Sequence, residues 1–119
     1  PEEDPAPEEA VGKTIYMETV AEKKDPTKRL YAENGSVLLV LGTEEVIIGK
    51  KEDATLVLQD PSVSRLHARV FLKEGEYILE DLNSTNGTFK NGFRMQPYEK
   101  RKLQPEDEIR VGNVLITYR

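Results

Sequence analysis

The chain has 119 residues, of which 17 are basic and 22 acidic, and its formal net charge is −5. Residues 1–12 contain five acidic residues and no basic one, so residues 13–119 sum to zero. A neutral body argues against bulk binding of nucleic acid, which usually needs a basic face. The absence of cysteine excludes disulfides, thiolate catalysis and cysteine-based metal sites.

The sequence also argues against a membrane location. No apolar run approaches the length of a transmembrane helix, and the N-terminus lacks the basic-then-apolar order of a signal peptide. We therefore expect a soluble, cytoplasmic domain that does not bind a membrane itself and is monomeric in isolation.

The chain divides into three parts by composition. Residues 1–12 are rich in proline and glutamate and predict a disordered, acidic linker of a longer protein. Residues 13–29 predict an N-terminal arm, either extended or paired as an edge strand, because Thr14, Ile15, Tyr16 and Met17 suit a strand while the rest is polar. Residues 30–119 predict one folded domain.

Within residues 30–119, short apolar runs alternate with turn signals. Asn34-Gly35 favours a two-residue type I′ hairpin, and the runs 37–41 and 46–48 predict a second hairpin around Gly42. Residues 67–73 alternate in polarity, with His67 on the polar face, and lead through Gly75 into the run 77–82. No window has a helical period of apolar residues. This pattern predicts an all-β sandwich or barrel.

Hydrogen-bonding side chains collect in the turns at both ends of the segment 67–82. Ser64 and Arg65 precede it, and Thr85 and Asn86 follow it. Because antiparallel strands return the chain to the same end of a sheet, these groups are expected to face one concavity, to which Lys50 adds an ammonium group. Hydroxyls, amides and guanidinium groups hold phosphate well. Ser, Thr and Asn are also ordinary turn formers, so these residue types alone leave both interpretations open.

Catalytic and metal sites have weaker support. Ser64, His67 and Asp81 contain the groups of a hydrolase triad, but no nucleophile-elbow glycines surround the serine. His67 is the only histidine, and no other residues have the spacing of a ligand pair. We therefore expect no enzyme activity, no metal and no cofactor.

Two longer motifs, with Gly49-Lys50 before them and Gly112 after them, resemble the forkhead-associated (FHA) domain. The first motif is SRLHA at residues 64–68 and the second is DLNSTNGTFKNG at residues 81–92. The resemblance covers about residues 30 to 118. It implies a β-sandwich of two packed, mainly antiparallel sheets that binds phosphothreonine peptides at loops on one end and has no enzymatic activity of its own.

Matched by position, the resemblance assigns roles to individual residues. Phosphopeptide binding falls on Lys50, Ser64, Arg65, Thr85 and Asn86; preference for the third residue after the phosphothreonine falls on Ser62, Val63 and Asn83; structural support falls on Gly49, His67 and Gly87. The family usually has arginine at the position of Lys50, and lysine offers a point charge without the bidentate fork.

The N-terminal arm carries one further resemblance. Glu18-Thr19-Val20 is similar to a segment of some bacterial members that folds back into its own FHA site once phosphorylated, which makes Thr19 a candidate phosphoacceptor. A passive linker or edge strand is the alternative.

The sequence thus predicts a phosphothreonine-dependent recognition module within a larger signalling or regulatory protein. Its expected partners are a Ser/Thr kinase or the substrates of that kinase. The alternative function is a phosphate-independent interaction domain on the same fold.

Overall fold

The computed structural model describes residues 2–3, 5–6 and 27–119 of the chain. All regular elements of these residues are strands. In chain order they are β1 (Glu2–Glu3), β2 (Pro5–Ala6), β3 (Arg29–Ala32), β4 (Val37–Val40), β5 (Val46–Gly49), β6 (Leu56–Val57), β7 (Ala68–Lys73), β8 (Glu76–Asp81), β9 (Thr88–Lys90), β10 (Phe93–Arg94), β11 (Lys100–Lys102), β12 (Asp107–Val111) and β13 (Val114–Tyr118). The all-β prediction is confirmed.

Strands β3 to β13 form two sheets. The first has six strands in the order β10-β9-β12-β13-β3-β4, and the second has five in the order β11-β8-β7-β5-β6. Within these two sheets only β5 and β6 pair in parallel, and all other described pairs are antiparallel. The strands β1 and β2 lie outside the two sheets and pair with each other in parallel. The predicted sandwich of two mainly antiparallel sheets is therefore confirmed.

The core contains apolar side chains from both sheets in one cluster. Leu30, Ile109 and Ile116 come from the six-stranded sheet and are fully buried. Ile48 and Leu79 come from the five-stranded sheet and are equally buried. Burial of such side chains stabilises the fold by about 1.5–3 kcal/mol each. The loops at the sandwich ends are thus fixed to a packed core.

The β7–β8 hairpin places the two motifs at one end of the sandwich. Its strands pair antiparallel from Lys73↔Glu76 to Ala68↔Asp81. Glu74 and Gly75 connect them with φ of 52° and 79°, the backbone of a two-residue type I′ turn. The residues before Ala68 therefore lie beside the residues after Asp81, as the sequence predicts.

The predicted hairpin around Gly42 is wrong. The strand β4 pairs with β3 in the six-stranded sheet, while β5 pairs with β6 and β7 in the five-stranded sheet. The connection therefore crosses from one sheet to the other. Val46 and Ile48 are buried on the second sheet, and this inward burial determines the partner of β5 more strongly than its nearness to β4 in sequence.

The turn at Asn34-Gly35 differs in type from the prediction. Only Gly35 has a positive φ, of 90°, and its N–H donates to the Ala32 carbonyl at 2.9 Å. The Ser36 carbonyl accepts a hydrogen bond from Ala32 N–H at 2.8 Å, and the pairing of β4 with β3 begins after this residue. The predicted pairing of the flanking strands is correct, but the loop is longer than two residues.

The predicted division at residues 12 and 29 stays a prediction, because residues 7–26 lie outside the described part of the chain. Among the residues that are described, no helix is long and apolar enough to cross a membrane.

Candidate functional site

An open depression of about 610 Å³ lies at the end of the sandwich where the two motifs meet. Three loops form it: the loop after β5, the loop before β7 and the loop after β8. Its lining consists of Lys50, Lys51, Val63, Ser64, Arg65, Leu66, Asn83 and Thr85. The structure therefore brings most of the predicted site residues together.

The first two loops are held together through their backbones. Lys50 N–H donates to the Ser64 carbonyl at 3.0 Å, and Lys51 N–H donates to the Arg65 carbonyl at 3.2 Å. Gly49 makes this approach possible, because a Cβ at this position would lie 2.0 Å from the Arg65 carbonyl oxygen. The two lysines and the arginine are thus displayed on adjacent backbones.

His67 lies beneath the depression, fully buried, one residue before β7 begins. Its Nδ1 accepts a hydrogen bond from Ser64 N–H at 3.0 Å, and its Nε2 lies 2.8 Å from the Gly87 carbonyl. The first contact requires an unprotonated Nδ1, so the proton is on Nε2 and is donated to Gly87. Burial lowers the pKa of His67, and the neutral ring connects the two motifs.

The Ser64 hydroxyl connects the second and third loops. Its Oγ accepts a hydrogen bond from Thr85 N–H at 3.0 Å. The hydroxyl hydrogen therefore does not take part in this contact and can be donated to a ligand. Ser64, Thr85 and Arg65 together present donors along one side of the depression.

Asp81 stabilises the third loop from inside the protein. Its carboxylate accepts hydrogen bonds from the Ser84 and Thr88 hydroxyls at 2.6 and 2.7 Å. It also accepts from the backbone N–H of Asn83 at 3.0 Å and of Ser84 at 3.3 Å. These contacts hold Asn83 at a φ of 60° and fix the start of the loop that carries Thr85.

The charge of the depression comes from Lys50, Lys51 and Arg65, with acidic residues at its rim. Lys51 Nζ pairs with the Asp53 carboxylate at 2.6 Å. This hydrogen bond and the charge of Lys51 hold the pKa of Asp53 below its usual range. Lys50 and Arg65, in contrast, have no ion pair among the described residues.

Two predicted residues lie beside the depression and do not line it. The Asn86 side-chain amide donates to the Ser62 carbonyl at 2.9 Å. The Ser62 hydroxyl donates to Asp60 at 2.6 Å and accepts from Asn113 N–H at 2.8 Å. Asn86 and Ser62 therefore connect the loop before β7 to the loops after β8 and β12, on the flank of the depression.

Sequence reasoning did not assign a site role to three residues that contribute here. Lys51 and Leu66 line the depression, and Asp81 stabilises its third loop. The repeated lysine after Gly49 was a signal for Lys51, whereas Leu66 and Asp81 give no sign of exposure or burial in the sequence. The candidate phosphoacceptor Thr19 lies outside the described residues.

The structure does not assemble a catalytic triad. Both ring nitrogens of His67 contact backbone groups, and Asp81 contacts Ser84 and Thr88 rather than the histidine. No group of three potential metal ligands occurs within the described residues. The arrangement can bind an anion through charge-assisted and neutral hydrogen bonds.

Comparison with known proteins shows the family. The FHA domain model matches residues 46–112, more than half of the chain, and this chain belongs to the FHA domain family. FHA domain-containing protein FhaB of Mycobacterium tuberculosis is 45% identical over 81 residues, which cover 68% of this chain and 51% of that protein. FhaB of Mycolicibacterium smegmatis is 36% identical with the same coverage. The chain thus spans about half the length of these relatives.

Solved structures agree with this assignment. An FHA domain studied for phosphothreonine-dependent interactions superposes with a TM-score of 0.70 at 34% identity, covering 78% of this chain and 95% of that domain. Mycobacterium tuberculosis EmbR, solved with a low-affinity phosphopeptide, superposes with a TM-score of 0.73 at 26% identity, covering 85% of this chain and 26% of EmbR.

Proposed function

We propose that this domain binds phosphothreonine in protein partners through the depression at the end of the sandwich. The convergence of Lys50, Ser64, Arg65 and Thr85 on one open surface carries the proposal. A phosphate group has several acceptor oxygens, and these side chains offer several donors of mixed charge. FHA domains of the same fold have been studied for phosphothreonine-dependent interactions, which supports the same use here.

The side chains have distinct parts in this proposal. Arg65 donates to the phosphate with its guanidinium group, and Ser64 donates its hydroxyl hydrogen, which the Thr85 contact leaves available. Lys50 adds a point charge. The Asn86 side-chain amide holds the backbone of the bound peptide. It does so either from its present position, where it donates to the Ser62 carbonyl, or after that hydrogen bond breaks.

Apolar side chains in the same depression support a preference for threonine over serine. Val63 is buried and Leu66 is half exposed, and both line the depression. A threonine methyl group packed there contributes about 0.8 kcal/mol by area. We assign the preference for the third residue after the phosphothreonine to Ser62, Val63 and Asn83.

The proposed role is recognition without catalysis, in a cytoplasmic protein that contains more than this domain. The partners are phosphorylated by a Ser/Thr kinase, or are that kinase itself. His67 is buried and hydrogen-bonded at both nitrogens, so it is not available to act as a general base for a ligand in the depression.

Three degenerate peptide libraries test the proposal, identical except for a central phosphothreonine, phosphoserine or threonine. We expect the immobilised domain to retain the phosphothreonine library at least tenfold more than the other two. Equal retention of all three would favour the phosphate-independent alternative. Release of inorganic phosphate during the incubation would contradict the absence of catalysis.

A further inference from the structure

Within the described part of the chain, the strand β4 is an unprotected edge of the six-stranded sheet. It spans Val37–Val40 and, among the described strands, pairs with β3 alone. Val37 and Val40 are 51% and 54% exposed, and the strand contains no charged residue and no proline. An exposed apolar edge of this kind is a template for a further strand, and proteins usually avoid leaving it open.

The other edges of the two sheets are protected. The edge strand β11 consists of Lys100, Arg101 and Lys102, and adjacent positive charges oppose strand addition. The edge strands β6 and β10 have two residues each, which is too short for a stable added strand. Among the described sheet edges, β4 alone is both longer than two residues and uncharged.

At the C-terminal end of β4, backbone hydrogen-bonding groups point outward, where a further strand could pair with them. Leu41 N–H donates to the Lys28 carbonyl at 2.9 Å, and Arg29 faces Val40 in the register. In an antiparallel pair the bonded positions alternate, so the N–H and carbonyl of Val40 point away from β3. The register shift lies at the other end, near Val37.

We propose that residues 14–17 of the same chain add to β4 as a parallel strand. The described body begins at Thr27, and Lys28 lies beside Leu41, so the N-terminal arm leaves the domain at the open end of this edge. Residues 14–17 include Ile15, Tyr16 and Met17, which have high strand propensity or apolar bulk.

The length of the connection agrees with this placement. The added strand would lie about 10 Å from β3, two strand spacings away. Residues 18–27 can span up to about 35 Å when extended, which is more than enough. Because the arm returns to β3 at the Val40 end of β4, the shortest connection places Met17 near Val40 and Thr14 near Val37. The proposal therefore specifies direction as well as location.

Engineered cysteines test this placement without background thiols, because the chain has no cysteine of its own. In the full chain, Val40→Cys is combined in turn with Thr14→Cys, Ile15→Cys, Tyr16→Cys or Met17→Cys, and each pair is oxidised under the same conditions. We expect intramolecular disulfides whose yield is highest for position 17, which points to the same face of the sheet as Val40, and at least fivefold lower for position 14. Neighbouring strands bring Cα atoms to the distance that a disulfide needs.

Three results would overturn the proposal. Yields that do not depend on position indicate random encounter of a free arm, and a reversed gradient indicates another direction. Disulfides between two chains indicate that a second copy covers the edge.

Amide hydrogen exchange in the cysteine-free chain provides the second measurement: we expect Ile15→Pro to accelerate exchange at Val40 at least tenfold, and the control Glu22→Pro to leave it unchanged. Equal exchange in both variants would contradict strand addition.

Discussion

Asp81 is a buried carboxylate, 2% exposed, whose partners are the hydroxyls of Ser84 and Thr88 and two backbone N–H groups. Asp81→Ala leaves these buried donors without an acceptor. We expect it to lower the free energy of unfolding by about 2–4 kcal/mol, measured by urea denaturation. The control Asp53→Ala removes an exposed carboxylate and should have a much smaller effect. Similar effects for both variants would contradict the stabilising role of Asp81.

His67 makes stability depend on pH. Its pKa in the folded protein is lowered by burial, whereas the unfolded chain has the ordinary value near 6.5. The unfolded state therefore binds more protons as the pH falls below about 6.5, and the stability that neutral His67 provides is lost between that pH and its lowered pKa. We expect wild type to lose stability between pH 7 and 5, measured by urea denaturation. His67→Asn should show a flatter dependence over this range, and an identical slope would contradict the assignment.

At the level of residues, the motifs predict most of the donors and several of the supports, but not the role of Asp81. Ser64, Arg65 and Thr85 stand in recognisable motifs, and the structure places them in one depression. The role of Asp81 depends on its burial, which follows from the packing of β8 and not from its neighbours in sequence. His67 is predicted as a support of the site, and its ring nitrogens contact Ser64 and Gly87. It lies one residue before β7 and is fully buried, not on the polar face of the strand.

Among the structural elements, hairpins with two positive-φ residues are the most predictable. The β7–β8 pair follows from alternating polarity and from Gly75, and the β9–β10 turn at Asn91-Gly92 has φ of 50° and 87° as its residue types favour. The crossing between β4 and β5 was not predictable in this way. Short apolar runs do not indicate which of two sheets a strand joins, because either sheet can bury them.

Gly49 links the end of β5 to the site. A Cβ at position 49 would meet the Arg65 carbonyl oxygen at 2.0 Å, while a Cβ at Gly42 would meet nothing within 4 Å. We expect Gly49→Ala to destabilise the domain by about 1–3 kcal/mol, as overpacking does, and to weaken phosphopeptide binding by moving Arg65. Gly42→Ala is the matched control and should change neither. Thermal denaturation and calorimetry of both variants measure these effects, and a Gly49→Ala domain that melts like wild type would contradict the close approach.

In the whole molecule, function depends on the local arrangement of charge and not on its total. Residues 13–119 are formally neutral, yet Lys50, Lys51 and Arg65 meet in one depression at the end of the sandwich. The composition therefore predicted that nucleic acid is not a partner, but it could not locate the positive surface. That location required the fold, because the three residues come from two loops that only the pairing of β5 with β7 brings together.

The most direct test of the central claim is calorimetry of Arg65→Ala with the phosphothreonine peptide that the library experiment selects. Arg65 is exposed, so its loss should leave the melting temperature nearly unchanged. It removes a charge-assisted donor, typically worth about 1.5–3 kcal/mol, and we expect binding at least tenfold weaker than wild type. Lys73→Ala, at the opposite end of the same hairpin, should bind like wild type. Equal affinity of Arg65→Ala and wild type would contradict the claim that this depression holds the phosphate.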